Sequence, residues 1–161
     1  MADSLKRRGD PGSDAFEVKS YPFFHLNRAA SRYNQLIEAE LRTIDLEVLA
    51  WRVLVILGET SPLPAARVAE LCVINLSTLT RLIERMKRLD YVQTATGSAD
   101  RRVTEISLTQ GGENKLREAR KLTAPFYRRA MKGISERELG SLLRMLDQLH
   151  GNLAQPDNTP E

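Results

Sequence analysis

The stretch that decides the fold is VAELCVINLSTLTRLIERMKRLDYVQTATGSADRRVTEISLT, which occupies residues 68–109. It holds two runs of apolar residues at helical spacing, separated by a few residues that include an asparagine. The second run has apolar side chains on one face and hydroxyl and arginine side chains on the other. Two β-favouring stretches then flank a Gly-Ser turn. The pattern predicts a short helix, a tight turn, a longer amphipathic helix and a β-hairpin.

The ends of these elements follow from capping and turn chemistry. Asn75 or Ser77 is the predicted N-cap of the longer helix, because a short polar side chain there accepts a hydrogen bond from the first helical turn. Gly97 and Ser98 open the loop between the strands. The predicted bounds are residues 65–72 for the short helix, to about residue 89 for the longer helix, and 91–96 and 103–108 for the strands.

Two further helices are predicted before this stretch. Apolar residues recur at helical spacing over about residues 20–42, and Pro22 suits the first turn of that helix, where its missing N–H costs nothing. A second helix covers residues 46–57 and ends where Gly58 and a Ser-Pro pair follow.

Two helices are also predicted after the hairpin. Thr109 caps a long helix that runs to Lys132, in which Pro125 predicts a kink or a local break. Ser135 and Glu138 have the spacing of a capping box for the last helix. That helix carries an apolar stripe, which needs a partner surface. The stripe consists of Leu139, Leu142, Leu143, Leu146, Leu149 and Leu153.

The two ends of the chain are polar and contain proline, so residues 1–16 and 156–161 are predicted to be disordered tails. Between them we expect one domain over residues 17–155. The terminal helices are more apolar than a compact module requires, so we expect them to interlock with those of a second chain. The predicted fold class is mainly α with a small β-hairpin, namely a winged helix-turn-helix over about residues 46–112 with dimerisation helices over about 20–42 and 113–154.

The positive charge of the chain is concentrated in one window. The whole sequence of 161 residues has a formal net charge of +3. Residues 75–102 alone contain six Lys and Arg against three Asp and Glu, so their surplus equals that of the whole chain. A local basic surface of this kind is typical of nucleic-acid binding.

The single cysteine, Cys72, excludes an intramolecular disulfide, and its apolar neighbours predict a buried structural thiol. No apolar run is long enough to span a bilayer or to form the centre of a signal peptide. We therefore expect a cytoplasmic protein without a membrane partner.

A short helix, a tight turn and a second helix with a polar, cationic outer face make up the helix-turn-helix plan, whose second helix enters the major groove of DNA. Small hydroxyl side chains allow close approach to base edges, and Arg81 is long enough to reach guanine or a phosphate. Arg85 and Arg88 lie farther along, where backbone contacts are expected. The predicted recognition-helix residues are Asn75, Ser77, Thr78, Thr80, Arg81, Arg85 and Arg88.

The hairpin adds a wing with a second predicted contact. A cationic loop beside a groove-bound helix reaches the neighbouring minor groove, whose negative potential favours arginine, and Arg102 is the predicted insertion. Asp100 alone would repel phosphate, so its predicted role is a charge-assisted bond to a nearby arginine that fixes the shape of the wing. The predicted wing residues are Ser98, Asp100, Arg101 and Arg102.

The chain from Leu46 to Gly112 resembles the MarR family of winged-helix transcriptional regulators. The resemblance implies a homodimer joined by its N- and C-terminal helices, which binds a pseudo-palindromic operator in double-stranded DNA and is usually released by a small-molecule effector. The implied function is that of a repressor. The segments that carry the resemblance are WRVL (51–54), VAELCVINLSTLTRLIERMKRLDYV (68–92), DRR (100–102) and LTQGG (108–112).

Two positions depart from the family pattern. Asp90 stands where the family commonly has glycine after the recognition helix, a position that can require left-handed backbone, and aspartate tolerates that conformation better than most residues. The redox branch of the family has a reactive cysteine near the start of its first helix, and this chain has none there. Peroxide sensing by that route is therefore not expected.

An effector pocket is predicted between the dimerising and DNA-binding parts. Apolar walls with a few polar groups would suit an aromatic acid. The alternative for Trp51 is an ordinary core position. The predicted lining is Phe23, His25, Arg28, Trp51 and Arg52.

Three functional classes remain open: a ligand-responsive DNA-binding regulator, a winged-helix module for protein contacts, and an enzyme. No nucleophile–base pair, phosphate-cradling loop or paired carboxylate motif is found, so neither catalytic residues nor a cofactor are predicted. His25 and His150 lie far apart without other ligands at metal-site spacing, so no metal site is predicted. A charged helix face alone is typically just solvated, and the hairpin beside it favours the regulator.

Overall fold

The computed structural model describes residues 4–97, 100 and 102–154. The chain divides into two compact units, the first ending at Phe126 and the second beginning at Tyr127. The elements confirm a mainly helical fold with a small hairpin. They are α1 (Leu5–Gly9), α2 (Pro22–Arg42), α3 (Val48–Glu59), β1 (Leu63–Pro64), α4 (Ala65–Cys72), α5 (Leu76–Arg88), β2 (Val92–Thr96), β3 (Thr104–Leu108), α6 (Gln110–Ala130) and α7 (Glu136–Ala154).

The N-terminal segment is folded, so the prediction of a disordered tail over residues 1–16 is wrong for its described part. α1 is followed by a turn that brings the Glu17 N–H to the Arg8 carbonyl at 2.8 Å. The rings of Phe16 and Tyr21 then pack edge to face, with centroids 5.7 Å apart. The aromatic contact explains why the segment is ordered. Its composition is mostly polar, but Phe16 is an aromatic side chain that packs against Tyr21.

The core of the first unit is built from α2 to α6 and the sheet. Apolar residues at helical spacing supply it, and burying each large aliphatic side chain contributes roughly 1.5–3 kcal/mol. The largest fully buried side chains are Ile37, Leu41, Val53, Leu54, Leu57, Val68, Leu79, Met86 and Ile106.

Helix α3 lies two residues later than the predicted 46–57. Its N-cap is Glu47, whose backbone is extended at ψ 151°. The helix also continues through Gly58, which the sequence predicts as its end. A Cβ at Gly58 would lie 2.2 Å from Cδ2 of Leu116, so the glycine is there to let α6 pack closely against α3.

The turn between α4 and α5 has a defined backbone conformation. Val73 adopts left-handed backbone at φ 55°, and the Ile74 N–H donates to the Ala69 carbonyl at 3.0 Å. Asn75, rather than Ser77, is the N-cap of α5, because its Oδ1 accepts the Thr78 N–H at 2.8 Å. The predicted helix-turn-helix is therefore present.

The strands form an antiparallel sheet in the order β1-β3-β2. β2 and β3 pair from Val92 opposite Leu108 to Thr96 opposite Thr104. Strand β1 lies between two predicted helices, where the sequence pattern predicts no strand. Two residues, one of them a proline, give no periodic signal, and only the pairing with β3 makes them a strand.

The junction after α5 confirms the prediction for Asp90, which has φ 55°. Thr109 donates its hydroxyl to the Asp90 carbonyl and accepts the Gly112 N–H at 3.0 Å, so it caps α6 as predicted. A Cβ at Gly112 would lie 1.9 Å from the Tyr91 carbonyl oxygen. The Gly-Gly pair therefore lets the start of α6 press against the backbone that follows α5.

Helix α6 continues through Pro125 to Ala130, so the helix has no local break there, and a kink at Pro125 stays a prediction. A proline removes one backbone hydrogen bond, which the turns on either side tolerate here.

In the second unit, α7 has the predicted capping box. The Ser135 Oγ accepts the Glu138 N–H at 3.3 Å, and Glu138 Oε2 accepts the Ser135 N–H at 2.8 Å. Among the described residues, no helix is both long and apolar enough to cross a membrane.

Candidate nucleic-acid interface

Helix α5 has one buried face and one exposed face. Leu79, Leu82, Ile83 and Met86 are buried in the core. The exposed positions include most of the predicted recognition residues, and Asn75 begins the helix as its cap. The exposed predicted residues are Asn75, Ser77, Thr78, Thr80, Arg81 and Arg88.

Arg81 and Arg88 are the available cations of this face. Neither forms an ion pair with a residue that the structure describes. Each guanidinium therefore keeps its donors for an external acceptor such as a phosphate oxygen or a guanine edge.

Thr80 differs from the other hydroxyl residues. Its Oγ1 donates to the Leu76 carbonyl at 2.8 Å, so the hydroxyl has no proton left to donate and only accepts from a base. It also lines a cavity of about 360 Å³ between α5 and the sheet, together with Glu84 and Thr94. Thr80 therefore lies towards the wing side of the helix.

Arg85 is half-buried and already has a partner. Its Nη1 and Nη2 atoms donate to Oε1 and Oε2 of Glu47, each at 2.6 Å. This parallel pair of bonds joins the last turn of α5 to the start of α3. The sequence did not identify Glu47, since the two residues are 38 positions apart and give no local signal for the contact.

The wing contains the predicted bond between Asp100 and Arg102. Oδ1 of Asp100 accepts the Arg102 backbone N–H at 2.9 Å and Nε at 3.2 Å, and Oδ2 accepts Nη2 at 3.1 Å. These bonds hold the pKa of Asp100 below its ordinary value. The Arg102 side chain stays 90% exposed, so the bond fixes the direction of the guanidinium while the side chain remains accessible. The predicted wing residues Ser98 and Arg101 lie outside the described residues.

The base of the wing is closed by backbone bonds. The Gly97 N–H donates to the Val103 carbonyl at 2.8 Å, and the Val103 N–H donates to the Asp100 carbonyl at 3.0 Å. Asp100 is thus anchored by both its backbone and its side chain, which sets the point from which Arg102 projects.

The five predicted pocket residues do not line one described cavity together. Trp51 is only 9% exposed and belongs to the core, as the alternative interpretation predicts. Arg28 stacks on the Phe24 ring, and His25 Nε2 is 2.9 Å from the Lys19 carbonyl oxygen. Phe23 packs edge to face against Tyr21, whereas Arg52 is exposed on α3.

Cys72 is buried, which confirms the structural thiol, and burial raises the pKa of its thiol despite the nearby charge of Arg52. A raised pKa keeps the sulfur protonated and unreactive at neutral pH. Within the described ranges, no group of three or more His, Cys, Asp or Glu side chains is placed to hold a metal ion.

A helix-turn-helix whose second helix presents free cations, followed at once by a hairpin that presents an oriented arginine, defines the winged helix-turn-helix class of proteins. Comparison with known proteins narrows the class. No family model matches the chain. The HTH-type transcriptional repressor IacR of Pseudomonas putida is 36% identical over 156 residues, which cover 94% of this chain and 93% of that protein.

Solved structures share the fold. A MarR-family transcriptional regulator from Silicibacter pomeroyi superposes with a TM-score of 0.79 at 22% identity, covering 88% of this chain and 95% of that one. A mutant MarR from E. coli, complexed with operator DNA, gives a TM-score of 0.68 at 18% identity, covering 82% and 96%. The chain belongs to the MarR family of winged helix-turn-helix transcriptional regulators, which confirms the family and the fold class predicted from the sequence.

Proposed function

We propose that this protein is a transcriptional repressor that binds a pseudo-palindromic operator in double-stranded DNA as a homodimer. The observation that carries the proposal is the exposed face of α5, where Arg81 and Arg88 lack ion-pair partners among the described residues, beside a wing whose Arg102 is held in place by Asp100. The relative IacR is itself named a transcriptional repressor, which supports the sign of regulation.

The two parts of the interface have different tasks. The first turns of α5 enter the major groove, where Ser77 and Thr78 allow close approach and Arg81 reads a base edge. Arg88 lies at the C-terminal end of the helix and contacts the phosphate backbone. Base reading and anchoring therefore fall on different arginines.

The wing reaches the adjacent minor groove. Arg102 enters it because the narrow groove concentrates negative potential, and the groove offers width and charge more than a distinct sequence code. Asp100 acts through Arg102, so its replacement by alanine loosens the wing and weakens binding although it removes a negative charge. Tighter binding by Asp100→Ala would show that phosphate repulsion governs this position instead.

Dimerisation follows from apolar side chains on α7. Leu142, Leu143 and Met145 are exposed in the single chain, and none of the residues of α7 is buried. A second chain removes this surface from water and gives the protein two recognition helices. We expect them to be spaced by about 34 Å, one turn of duplex.

Release by a small aromatic acid is the second part of the proposal, and the family membership supports it. We keep the exposed cations Arg28 and Arg52 as the proposed carboxylate partners and Phe23 and His25 as further proposed contacts, whereas Trp51 belongs to the core. Such a ligand weakens operator binding only if it binds the released conformation better than the DNA-competent one. If a panel of aromatic acids changes neither the melting temperature nor the DNA affinity of the protein, the proposal of an aromatic-acid effector is wrong.

A fluorescence anisotropy titration with labelled duplex at several salt concentrations tests the DNA-binding proposal. We expect Arg81→Ala to weaken the free energy of binding to the operator by roughly 1–3 kcal/mol and to relax the base preference at one position of the site. Arg102→Ala should weaken binding to most sequences and make the salt dependence shallower by about one ion. Lys121→Ala, which removes an exposed cation from α6, is the control and should do neither.

The alternative, a winged-helix module for protein contacts, predicts a different result from the same titration. Such a module needs no salt-dependent affinity for duplex DNA. If the wild-type protein binds no duplex at low salt, the repressor proposal is wrong; if Arg102→Ala leaves the affinity unchanged at every salt concentration, the wing is not a DNA contact.

A further inference from the structure

The Glu47–Arg85 pair occupies one of the arginines on the helix that we propose enters DNA. Arg85 was predicted to contact the phosphate backbone, as Arg88 is. Within the part of the chain that the structure describes, it is nevertheless the one arginine of α5 that is bonded to an acid, through both terminal nitrogens. The acid comes from a different element, because Glu47 is the N-cap of α3. The pair therefore connects two different helices through residues that are 38 positions apart in sequence.

The geometry of the pair makes it stronger than a common surface contact. Both N···O distances are 2.6 Å, and the planar fork of arginine matches the carboxylate oxygens one to one. Exposed ion pairs in general contribute little, but bidentate arginine–carboxylate pairs are the exception. The next residue, Met86, is buried in the core, so the backbone that carries Arg85 is already fixed.

We propose that Glu47 is a positioning residue for DNA recognition, which fixes the C-terminal end of α5 against α3 and withholds the Arg85 guanidinium from phosphate. This inference rests on the proposed function. Its consequence concerns specificity, because a free Arg85 adds a phosphate contact that every sequence offers equally. Glu47 thus keeps the sequence-independent part of the affinity low.

Glu47→Ala tests the proposal with two probes, a duplex carrying an operator selected from a random pool and a duplex of scrambled sequence. We expect affinity for the scrambled duplex to rise roughly two- to fivefold. The slope of log affinity against log salt should steepen by about 0.9, the value for one added phosphate contact. The ratio of operator to scrambled affinity should fall.

Glu70→Ala is the matched control. Glu70 has the same exposed side-chain fraction as Glu47, 64%, and the same 2.6 Å distance to an arginine, Arg67, but both partners lie within α4. Its loss leaves the orientation of α5 unchanged, so the ratio of operator to scrambled affinity should stay at the wild-type value. An equal fall in the ratio for both variants would contradict the proposal.

Arg85→Ala separates positioning from contact. We expect it to leave the salt slope unchanged and to abolish the effect of Glu47→Ala when the two are combined. If Arg85→Ala makes the slope shallower by about one ion, Arg85 binds phosphate in the complex and the proposal is wrong. A slope change that persists in the double variant would show that Glu47 acts through its own charge.

The folding of the variant and DNA binding by the wild-type protein are each measured separately. A purely structural salt bridge predicts that Glu47→Ala lowers the melting temperature and weakens both duplexes by the same factor, which would overturn the positioning role. If the wild-type protein binds neither duplex, the proposed function fails together with this inference. Wild-type binding with an unaltered ratio in Glu47→Ala refutes the inference alone.

Discussion

The Asp100 carboxylate accepts hydrogen bonds from three donors of Arg102. These bonds fix the conformation of the wing tip, where the sequence places opposite charges next to each other. The sequence predicted the bond because a carboxylate at a DNA-binding tip needs a neutralising partner. It did not predict that the backbone N–H of Arg102 would also donate to Asp100, since that bond depends on how the turn closes.

The lowered pKa of Asp100 gives a direct prediction at this scale. Because its folded-state pKa is depressed, the contact is intact above the ordinary aspartate pKa and is lost as pH falls through the lowered one. A carboxyl-detected NMR titration should find Asp100 titrating below an ordinary aspartate, and Arg102→Ala should return it towards the ordinary value. An unshifted midpoint in the wild-type protein would show that the wing contact is not populated in solution.

Val73 gives a second prediction for a single residue. It is a β-branched residue at φ 55°, where non-glycine residues other than Asn and Asp lose roughly 1–2 kcal/mol, and its side chain is 79% exposed. Val73→Asn should therefore raise the free energy of unfolding by about 1 kcal/mol in a urea titration. Val73→Thr keeps the branched Cβ and should change little. Equal stabilisation by both variants would mean that backbone strain is not the cause.

At the scale of elements, the Gly-Gly pair in the first turn of α6 predicts a contrast between two glycines. A Cβ at Gly112 meets the Tyr91 backbone at 1.9 Å, whereas a Cβ at Gly151, inside α7, meets nothing within 4 Å. Gly112→Ala should lower the free energy of unfolding by about 1–3 kcal/mol or more. Gly151→Ala should raise it by about 0.5–1 kcal/mol, because alanine is the better helix former. Thermal melts measure both, and a stable Gly112→Ala protein would contradict the close approach.

The elements also show how far sequence predicts structure here. Periodicity and capping placed α4, α5 and the hairpin to within one or two residues, because their signals are local. The two-residue β1, the passage of α3 through Gly58 and the Glu47–Arg85 pair escaped prediction, since each depends on a partner distant in sequence. The predicted pocket failed to appear as one cavity for a similar reason: Trp51 serves the core of its own chain.

For the whole molecule, the exposed apolar side chains of α7 predict the assembly state. Leu142, Leu143 and Met145 are all exposed on α7, and several exposed apolar side chains on one helix are typical of a surface that a second chain covers. Sedimentation at micromolar concentration should find two chains, and Leu143→Glu should shift the protein towards one. Gln148→Glu adds the same charge on α7 without removing an apolar side chain and should remain dimeric. A wild-type monomer that still binds DNA tightly would contradict the two-half-site arrangement.

The central claim is that two copies of this chain read one operator with α5 and the wing. Sequencing the duplexes that the wild-type protein selects from a random pool tests it most directly. We expect the wild-type protein to select an inverted repeat with half-site centres about 10 base pairs apart. The Arg81→Ala variant should select sites in which one position of each half-site no longer shows a base preference. A pool without enrichment, or an enriched site without two-fold symmetry, would contradict the account.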